Sequence, residues 1–94
     1  MRVKWLREAS RNLEQEADTL ADKNPDAADA MLQNIRSSVS LLAQQPGVGR
    51  PGRVPGTREL VIQRYPYLIP YRVRGDVLEV LRVFHTSRKP PEKW

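Results

Sequence analysis

The fold is decided by residues 58–85, which read RELVIQRYPYLIPYRVRGDVLEVLRVFH. Three apolar runs rich in β-branched and aromatic residues are separated by two turn signals, Tyr65-Pro66 and Gly75-Asp76. The runs are residues 58–64, 67–74 and 77–85. Connections this short predict a meander of antiparallel strands. Pro70 lies inside the middle strand and cannot donate a ladder hydrogen bond, so we expect a bulge or a locally free edge there.

The residues before this stretch predict one short strand and two helices. Residues 2–6 alternate polar and apolar side chains, as a strand does. From Arg7 the apolar residues recur every three or four positions, which is one stripe of a helix: Leu6, Ala9, Leu13, Ala17 and Leu20. Asn24-Pro25 supplies an N-cap and a first helical residue for a second helix over roughly residues 25–45. Its stripe is Ala28, Met31, Leu32, Ile35, Val39 and Leu42.

The predicted order is therefore β-α-α-β-β-β. Because the link between the two helices is short, they form an antiparallel hairpin. We predict an α+β fold over residues 1–94, as a single domain, in which a twisted antiparallel sheet carries the helical hairpin on one face.

Charge and composition narrow the function classes. The net charge of +5 is confined to the second half, because residues 1–45 sum to −1 and residues 46–94 to +6. Such asymmetry indicates an anionic partner. The chain has no cysteine and one histidine, so we expect no disulfide, no metal site and no cofactor. Its first residues do not have the pattern of a signal peptide, and no apolar run approaches the roughly 20 residues that span a bilayer. We therefore expect a cytoplasmic protein with no membrane partner.

Residues 46–56 form a Gly/Pro-rich loop that carries four of the five glycines. It is long for a compact domain, which is typical of a functional loop. No Gly-Lys-Ser/Thr follows, so it is not a phosphate-binding P-loop.

Taken in order, these features resemble the RelE/ParE superfamily, the toxins of type II toxin–antitoxin modules. The matching segments are residues 54–60 (VPGTREL), 67–73 (YLIPYRV) and 77–88 (VLEVLRVFHTSR). Trp5, the start of the second helix at residues 26–28 and its end at residues 41–47 also fit. The resemblance covers nearly the whole chain.

The resemblance implies one fold with two activities, because RelE-like members cut mRNA on the ribosome and ParE-like members poison DNA gyrase. The ribonucleases place cations on the second and third strands, facing the scissile phosphate. The corresponding positions here are Glu59, Val61 and Leu68, none of which is cationic, and no tyrosine follows His85. The sequence is therefore nearer the ParE-like branch.

The resemblance thus predicts a toxin that inhibits growth or stabilises a plasmid, poisons gyrase without catalysis and is neutralised by a cognate acidic antitoxin. Two alternatives stay open. One is a ribosome-dependent mRNA endoribonuclease, and the other is a non-toxic basic module that binds nucleic acid.

The candidate functional residues fall into three groups, for catalysis, for target binding and for antitoxin binding. Candidates for catalysis, if the chain is a ribonuclease, are His85, Arg88 and Arg82. Candidates for target binding are Arg58, Arg53, Arg50 and Lys89. Candidates for antitoxin binding, which would also serve as core, are Leu13, Ala17, Leu20, Ile35 and Val39. Arg82 shares its predicted face with Leu78, Val80 and Phe84, so we expect an ion pair to hold it, and Glu59 on another strand is a candidate partner.

Overall fold

The computed structural model describes residues 1–94, which form two helices and six strands. In chain order they are β1 (Arg2–Trp5), α1 (Arg7–Ala21), α2 (Pro25–Gln44), β2 (Arg50–Pro51), β3 (Arg58–Ile62), β4 (Tyr67–Arg74), β5 (Val77–Val80) and β6 (Phe84–His85). The predicted α+β class is confirmed. The sequence prediction did not include the two-residue strand β2, and it treated β5 and β6 as one strand.

The helices begin and pack as their sequences predict. The Asn24 side chain accepts a hydrogen bond from the Ala27 N–H at 3.1 Å, and Pro25 is the first helical residue of α2. The turn between the helices is closed by the Asn24 N–H, which donates to the carbonyl of Leu20 at 2.8 Å. Neither helix has the combination of length and apolar character that crossing a bilayer requires.

The sheet is mixed rather than purely antiparallel. Its strand order is β1-β5-β4-β3-β2, with β6 also paired to β4. All neighbours are antiparallel except β1 and β5, which run parallel with Trp5 opposite Val80. The prediction of an antiparallel sheet was therefore wrong for β1. This strand pairs with one far away in sequence, so no tight hairpin imposes the antiparallel direction on it.

A bulge opposite Pro70 separates β5 from β6. Tyr71 pairs with Val80, and Leu68 pairs with Phe84. Two residues of β4 therefore face the three residues 81–83, and the Leu81 N–H donates to the Pro70 carbonyl at 2.9 Å. The bulge expected at the proline is present.

The bulge also changes which side chains enter the core. Val83, and not Arg82, joins Leu78 and Val80 in the buried cluster. The prediction that Arg82 shares a face with those two residues was wrong, because the extra residue reverses the alternation along the strand.

The core lies between the helices and one face of the sheet. Met31, Ile35 and Leu42 of α2 are completely buried, as are Ile69 and Tyr71 of β4. Full burial of such a side chain stabilises the fold by roughly 1.5–3 kcal/mol. Side chains alternate along a strand, so the intervening residues Leu68 and Pro70 point to the opposite face, which we call the outer face. They are buried as well, which means that something other than the helices covers them.

An ion pair on the sheet makes stability depend on pH. The Arg72 Nε lies 2.6 Å from the Glu79 Oε1, and the Arg74 Nε lies 3.5 Å from the same oxygen. The hydrogen bond from Arg72 is the main cause that lowers the pKa of Glu79 below its ordinary value of 4.5. A carboxyl whose pKa is lower in the folded than in the unfolded chain stabilises the fold above the ordinary value, and this contribution is lost as the pH falls through the folded pKa.

We therefore expect Glu79→Gln to flatten the decline of melting temperature as the pH falls below 4.5. Thermal unfolding by circular dichroism between about pH 2.5 and pH 7 measures this, a window that spans the ordinary carboxyl range. Glu14→Gln removes an exposed carboxyl that makes no ion pair and serves as the control. An equal flattening in both variants would mean that the Arg72 pair is not the cause.

Candidate functional site

The Gly/Pro-rich loop is held in place by one buried tyrosine and one arginine. The Tyr71 hydroxyl donates to the Pro46 carbonyl at 2.7 Å and accepts from the Gly49 N–H at 2.9 Å. The Arg58 guanidinium donates to the Gly49 carbonyl at 2.8 Å and to the Gly47 carbonyl at 3.4 Å. The predicted target-binding residue Arg58 therefore fixes the backbone of the loop. As a consequence, the loop presents Arg50 and Arg53 from a defined position.

Glu59 accepts hydrogen bonds from both loop arginines, Arg50 and Arg53. Its side chain is 5% exposed, and its Oε1 lies 3.3 Å from the Arg50 Nε and 3.2 Å from the Arg50 Nη2. The other oxygen accepts from the backbone N–H of Arg53 at 2.9 Å. The charge of Arg50 is thus paired, and the Arg53 backbone is fixed while its guanidinium stays free to bind elsewhere.

The predicted pair between Arg82 and Glu59 was wrong, because Arg50 already occupies Glu59. The Arg82 Nη1 lies 3.6 Å from a carboxylate oxygen of Glu8 on α1, and its Nε donates to the backbone oxygen of Trp94 at 3.1 Å. The bulge turns Arg82 toward α1 and the end of the chain. Sequence periodicity could not reveal these partners, since Glu8 lies 74 positions and Trp94 12 positions away from Arg82.

The covering of the outer face is the segment 86–94. The Trp94 ring meets the Phe84 ring edge to face at a centroid distance of 5.4 Å. The guanidinium carbon of Arg53 lies 4.9 Å from the Trp94 ring centroid, which is a cation–π contact. The same guanidinium donates to the backbone carbonyls of Pro91 and Glu92. The segment therefore lies over the surface of the sheet, and Arg53 holds it there.

A cavity of about 320 Å³ remains beside this segment on the outer face. It is lined by Arg50, Arg53, Glu59, Leu68, Phe84, Thr86, Arg88, Pro90 and Trp94. We call this the arginine groove. Two of the four predicted target-binding residues, Arg50 and Arg53, meet here, and Arg88 joins them. Lys89 lies outside it, is exposed and makes no ion pair or side-chain hydrogen bond.

A smaller cavity of about 180 Å³ brings together the three candidates for catalysis. It is lined by Asn12, Arg82, Val83, Phe84, His85, Arg88, Lys89, Pro91 and Trp94. The His85 Nδ1 is 2.7 Å from the Ser87 Oγ and 3.2 Å from the Ser87 N, so this nitrogen is already occupied by a local turn. The His85 ring meets the Tyr67 ring edge to face at 5.5 Å.

Glu16 lies next to this smaller cavity, beside Arg88, and the sequence analysis did not single it out. It lies on α1, is 9% exposed, and its Oε1 lies 3.6 Å from the Arg88 Nη2. Burial, and next the charge of Glu16, raise the pKa of Tyr67. The sequence did carry a signal for this buried position, because Glu16 is three residues after Leu13 and so falls on the apolar stripe of the helix.

No group of three or more potential metal ligands occurs in the structure.

The predicted antitoxin-binding residues differ in whether they line a surface groove. Leu13 and Ala17 are 6% and 8% exposed and belong to the core cluster, but they also line a groove of about 520 Å³ on the helical hairpin, together with Trp5, Ser10, Glu14, Asp18, Leu32 and Arg36. Leu20 is half-buried and packs against the core. Ile35 and Val39 are 0% and 2% exposed. These two are enclosed in the core, so the folded chain does not present them to a partner.

Comparisons with known proteins identify the family. Residues 3–90 match the family model described as the ParE toxin of the type II toxin–antitoxin system parDE. The chain is 41% identical over 91 residues to "Putative toxin Y4kP" of Sinorhizobium fredii, covering 97% of this chain and 94% of that protein. A solved structure of the chromosomal ParDE toxin–antitoxin system from P. aeruginosa superposes with a TM-score of 0.82 at 34% identity, covering 90% of this chain and 95% of that one. The chain belongs to the ParE toxin family of type II toxin–antitoxin systems.

Proposed function

We propose that this toxin inhibits DNA gyrase by binding it without catalysing a reaction, and that a cognate acidic antitoxin neutralises it. The observation that carries the proposal is the chemistry of the outer face. At the three positions where the ribonuclease branch places its cations, Glu59 is bound by Arg50, Leu68 is buried and Val61 is an aliphatic residue. None of them can stabilise the charge that develops on a phosphate during cleavage. The remaining cations are suited to docking against an anionic surface.

Assays with the purified toxin test this proposal directly. We expect the toxin to inhibit supercoiling by gyrase and to increase the amount of cleaved DNA. We expect a translated mRNA to stay intact in primer extension. Codon-positioned cuts in the message, together with normal supercoiling, would contradict the proposal.

A matched pair of lysine variants tests where the target binds. Lys89→Gln and Lys23→Gln each remove one charge from an exposed lysine that has no ion pair. Lys89 lies beside the arginine groove, whereas Lys23 lies in the turn between the two helices. An exposed charge at an interface is worth about 0.5–1 kcal/mol, so Lys89→Gln should raise the half-inhibitory concentration for gyrase about two- to five-fold. Lys23→Gln should leave it unchanged. Equal effects would indicate that only net charge matters.

The antitoxin is proposed to bind the groove of about 520 Å³ on the helical hairpin, which we call the hairpin groove. Its apolar lining, Leu13 and Ala17 with Trp5 and Leu32, suits the apolar face of a partner helix. An acidic antitoxin would in addition neutralise the basic half of the chain, which lies on the strands and the loops. Ile35 and Val39 belong to the same core cluster as Leu13 and Ala17 and do not line the groove.

One observation favours the ribonuclease alternative, namely that His85, Arg82 and Arg88 line a single cavity. An imidazole beside two guanidinium groups could transfer a proton and bind a phosphate. In that case His85→Ala and Arg88→Ala would each abolish mRNA cleavage on the ribosome. If the chain binds gyrase instead, His85→Ala keeps its inhibition of supercoiling.

A further inference from the structure

The segment 86–94 covers a surface formed by Arg53, Arg82 and Phe84, which we call the tail surface. It is bound there through groups that are not specific to this segment. The Arg53 guanidinium is bonded to two backbone carbonyls, of Pro91 and Glu92, and Arg82 is bonded to the backbone oxygen of Trp94. The single side chain that makes a defined contact with both Arg53 and Phe84 is the Trp94 ring. Any extended peptide with one aromatic residue supplies the same groups.

Two features show that the segment is an imperfect occupant. The Trp94 indole Nε1 is buried and has no hydrogen-bond partner, a loss that disfavours the closed position. The guanidinium of Arg53 has no carboxylate within ion-pair distance, because all its hydrogen-bond acceptors are neutral carbonyls. Hydrogen bonds from arginine to a carboxylate are about twice as strong as neutral ones. A ligand with carboxylates beside a phenylalanine would correct both defects.

We propose that the tail surface is a peptide-binding site that takes an acidic partner segment carrying an aromatic residue, and that residues 86–94 leave this surface when the partner binds. The partner's aromatic ring takes the position of Trp94 between Arg53 and Phe84. Its carboxylates take the positions of the carbonyls on Arg53 and Arg82. The segment thus covers the tail surface in the free toxin. The apparent affinity for the partner is then the intrinsic affinity multiplied by the fraction of molecules in which the segment is detached.

The inference rests on the proposed function only in treating the outer face as a binding surface. It names neither gyrase nor the antitoxin as the source of the segment. A direct binding experiment can therefore fail while gyrase inhibition holds, and it can succeed where gyrase is not the target.

The test uses the fluorescence of Trp94 in the full chain. The protein has two tryptophans, so the Trp5→Phe variant leaves Trp94 as the sole emitter. The probe is the capped synthetic peptide DDFDD, with DDADD and KKFKK as controls. We expect DDFDD to shift the Trp94 emission to longer wavelength in a saturable manner, since the ring moves into water. We expect both control peptides to bind at least about tenfold more weakly, because each lacks one of the two recognised groups.

Variants of the chain separate exchange from binding elsewhere. Arg53→Gln should weaken DDFDD binding at least about tenfold, whereas Arg11→Gln, an exposed arginine on α1, should not change it. Trp94→Ala should bind the peptide about tenfold more tightly, because the ring that competes for Arg53 and Phe84 is gone. This variant lacks the fluorescent reporter, so its affinity is measured by isothermal titration calorimetry. Peptide binding without an emission shift, or equal binding by Arg53→Gln and the parent, would overturn the proposal.

A reversible tether covers the case in which Trp94→Ala does not fold. The chain has no cysteine, and Val54 and Lys93 line the same cavity, so Val54→Cys with Lys93→Cys can be joined by a short cleavable thiol cross-linker. The tethered protein should lose DDFDD binding at least about tenfold and regain it when the linker is cut. Unchanged affinity in the tethered protein would show that the segment does not leave, and the proposal would fall.

Discussion

Replacing Leu42 by alanine is expected to reduce the free energy of unfolding by about 2–5 kcal/mol, whereas the same change at the adjacent Leu41 should alter it by no more than about 0.5 kcal/mol. Leu42 is completely buried in the core, and Leu41 is 50% exposed on the same turn of α2. Truncating Leu42 removes buried apolar surface and leaves a cavity that the rigid sheet cannot close. The two variants change the same residue type at adjacent positions of the same helix, so they differ in the burial of the leucine that is truncated.

Urea unfolding followed by circular dichroism measures both changes. A domain of this size has a total stability of about 5–15 kcal/mol, so the loss at Leu42 is a large share of it. Each kcal/mol lowers the melting temperature by roughly 4–8 °C. Similar losses in the two variants would mean that α2 is not seated on the sheet through Leu42.

The predicted fold followed from signals that are local in sequence. The stripes that place Met31 and Ile35 in the core are helical periodicities, and the Asn24-Pro25 cap is read from adjacent residues. The turn at Gly75-Asp76 is equally local, and Gly75 has the positive φ of 58° that such a turn needs. Each of these features depends on residues fewer than five positions apart.

The errors arose where the structure depends on distant partners. A two-residue strand such as β2 has no periodicity, so only its pairing with β3 defines it. Pro70 was visible as a misfit, but the side-chain reversal that it causes at Arg82 depends on the register between β4 and the last strand. The contacts of Arg82 with Glu8 and with Trp94 join residues 12 or more positions apart.

The same limit applies to the candidate site. The sequence marked the loop arginines as exposed ligands for a target, yet Arg50 is paired with Glu59 and Arg58 is bonded to loop carbonyls. Their first role is to shape the loop. Sequence cannot distinguish an arginine that supports a surface from one that contacts a partner, because both lie in polar, basic segments.

A second large effect is expected from a change at Gly49 in the Gly/Pro-rich loop, where the shape of the loop is linked to activity. Gly49→Ala is expected to cost about 2–4 kcal/mol of stability, since overpacking costs about 1–3 kcal/mol and the buried groups that lose their hydrogen bonds add to it. A Cβ at Gly49 would lie 2.7 Å from the Tyr71 Cε1 and 2.9 Å from the Cζ. Tyr71 is completely buried, so its ring has no space into which to move.

Gly47→Ala is the matched control, because a Cβ at Gly47 meets no atom within 4 Å. Its effect on stability should stay within about 1 kcal/mol, since only the flexibility of the unfolded chain changes. Thermal unfolding of the two variants gives the comparison. Gly49→Ala should also reduce gyrase inhibition under conditions where it is folded, because the shifted loop carries Arg50 and Arg53 out of position. If both variants unfold alike, the close approach of Gly49 to Tyr71 is not a constraint on the loop.

A double-mutant cycle assigns the cost to the tyrosine hydroxyl rather than to the loop in general. Tyr71→Phe removes the oxygen nearest to the added Cβ and leaves the Pro46 carbonyl and the Gly49 N–H without their partner, for a cost of about 1–3 kcal/mol. In that background Gly49→Ala should cost less than in the parent, by about 0.5–3 kcal/mol, because neither the hydroxyl bond nor its space remains to be lost. Additive costs would place the strain elsewhere in the loop. A favourable coupling would mean that a core residue of β4 sets the position of the loop that presents Arg50 and Arg53, so that changes in the core reach the proposed binding surface through one hydrogen-bonded tyrosine.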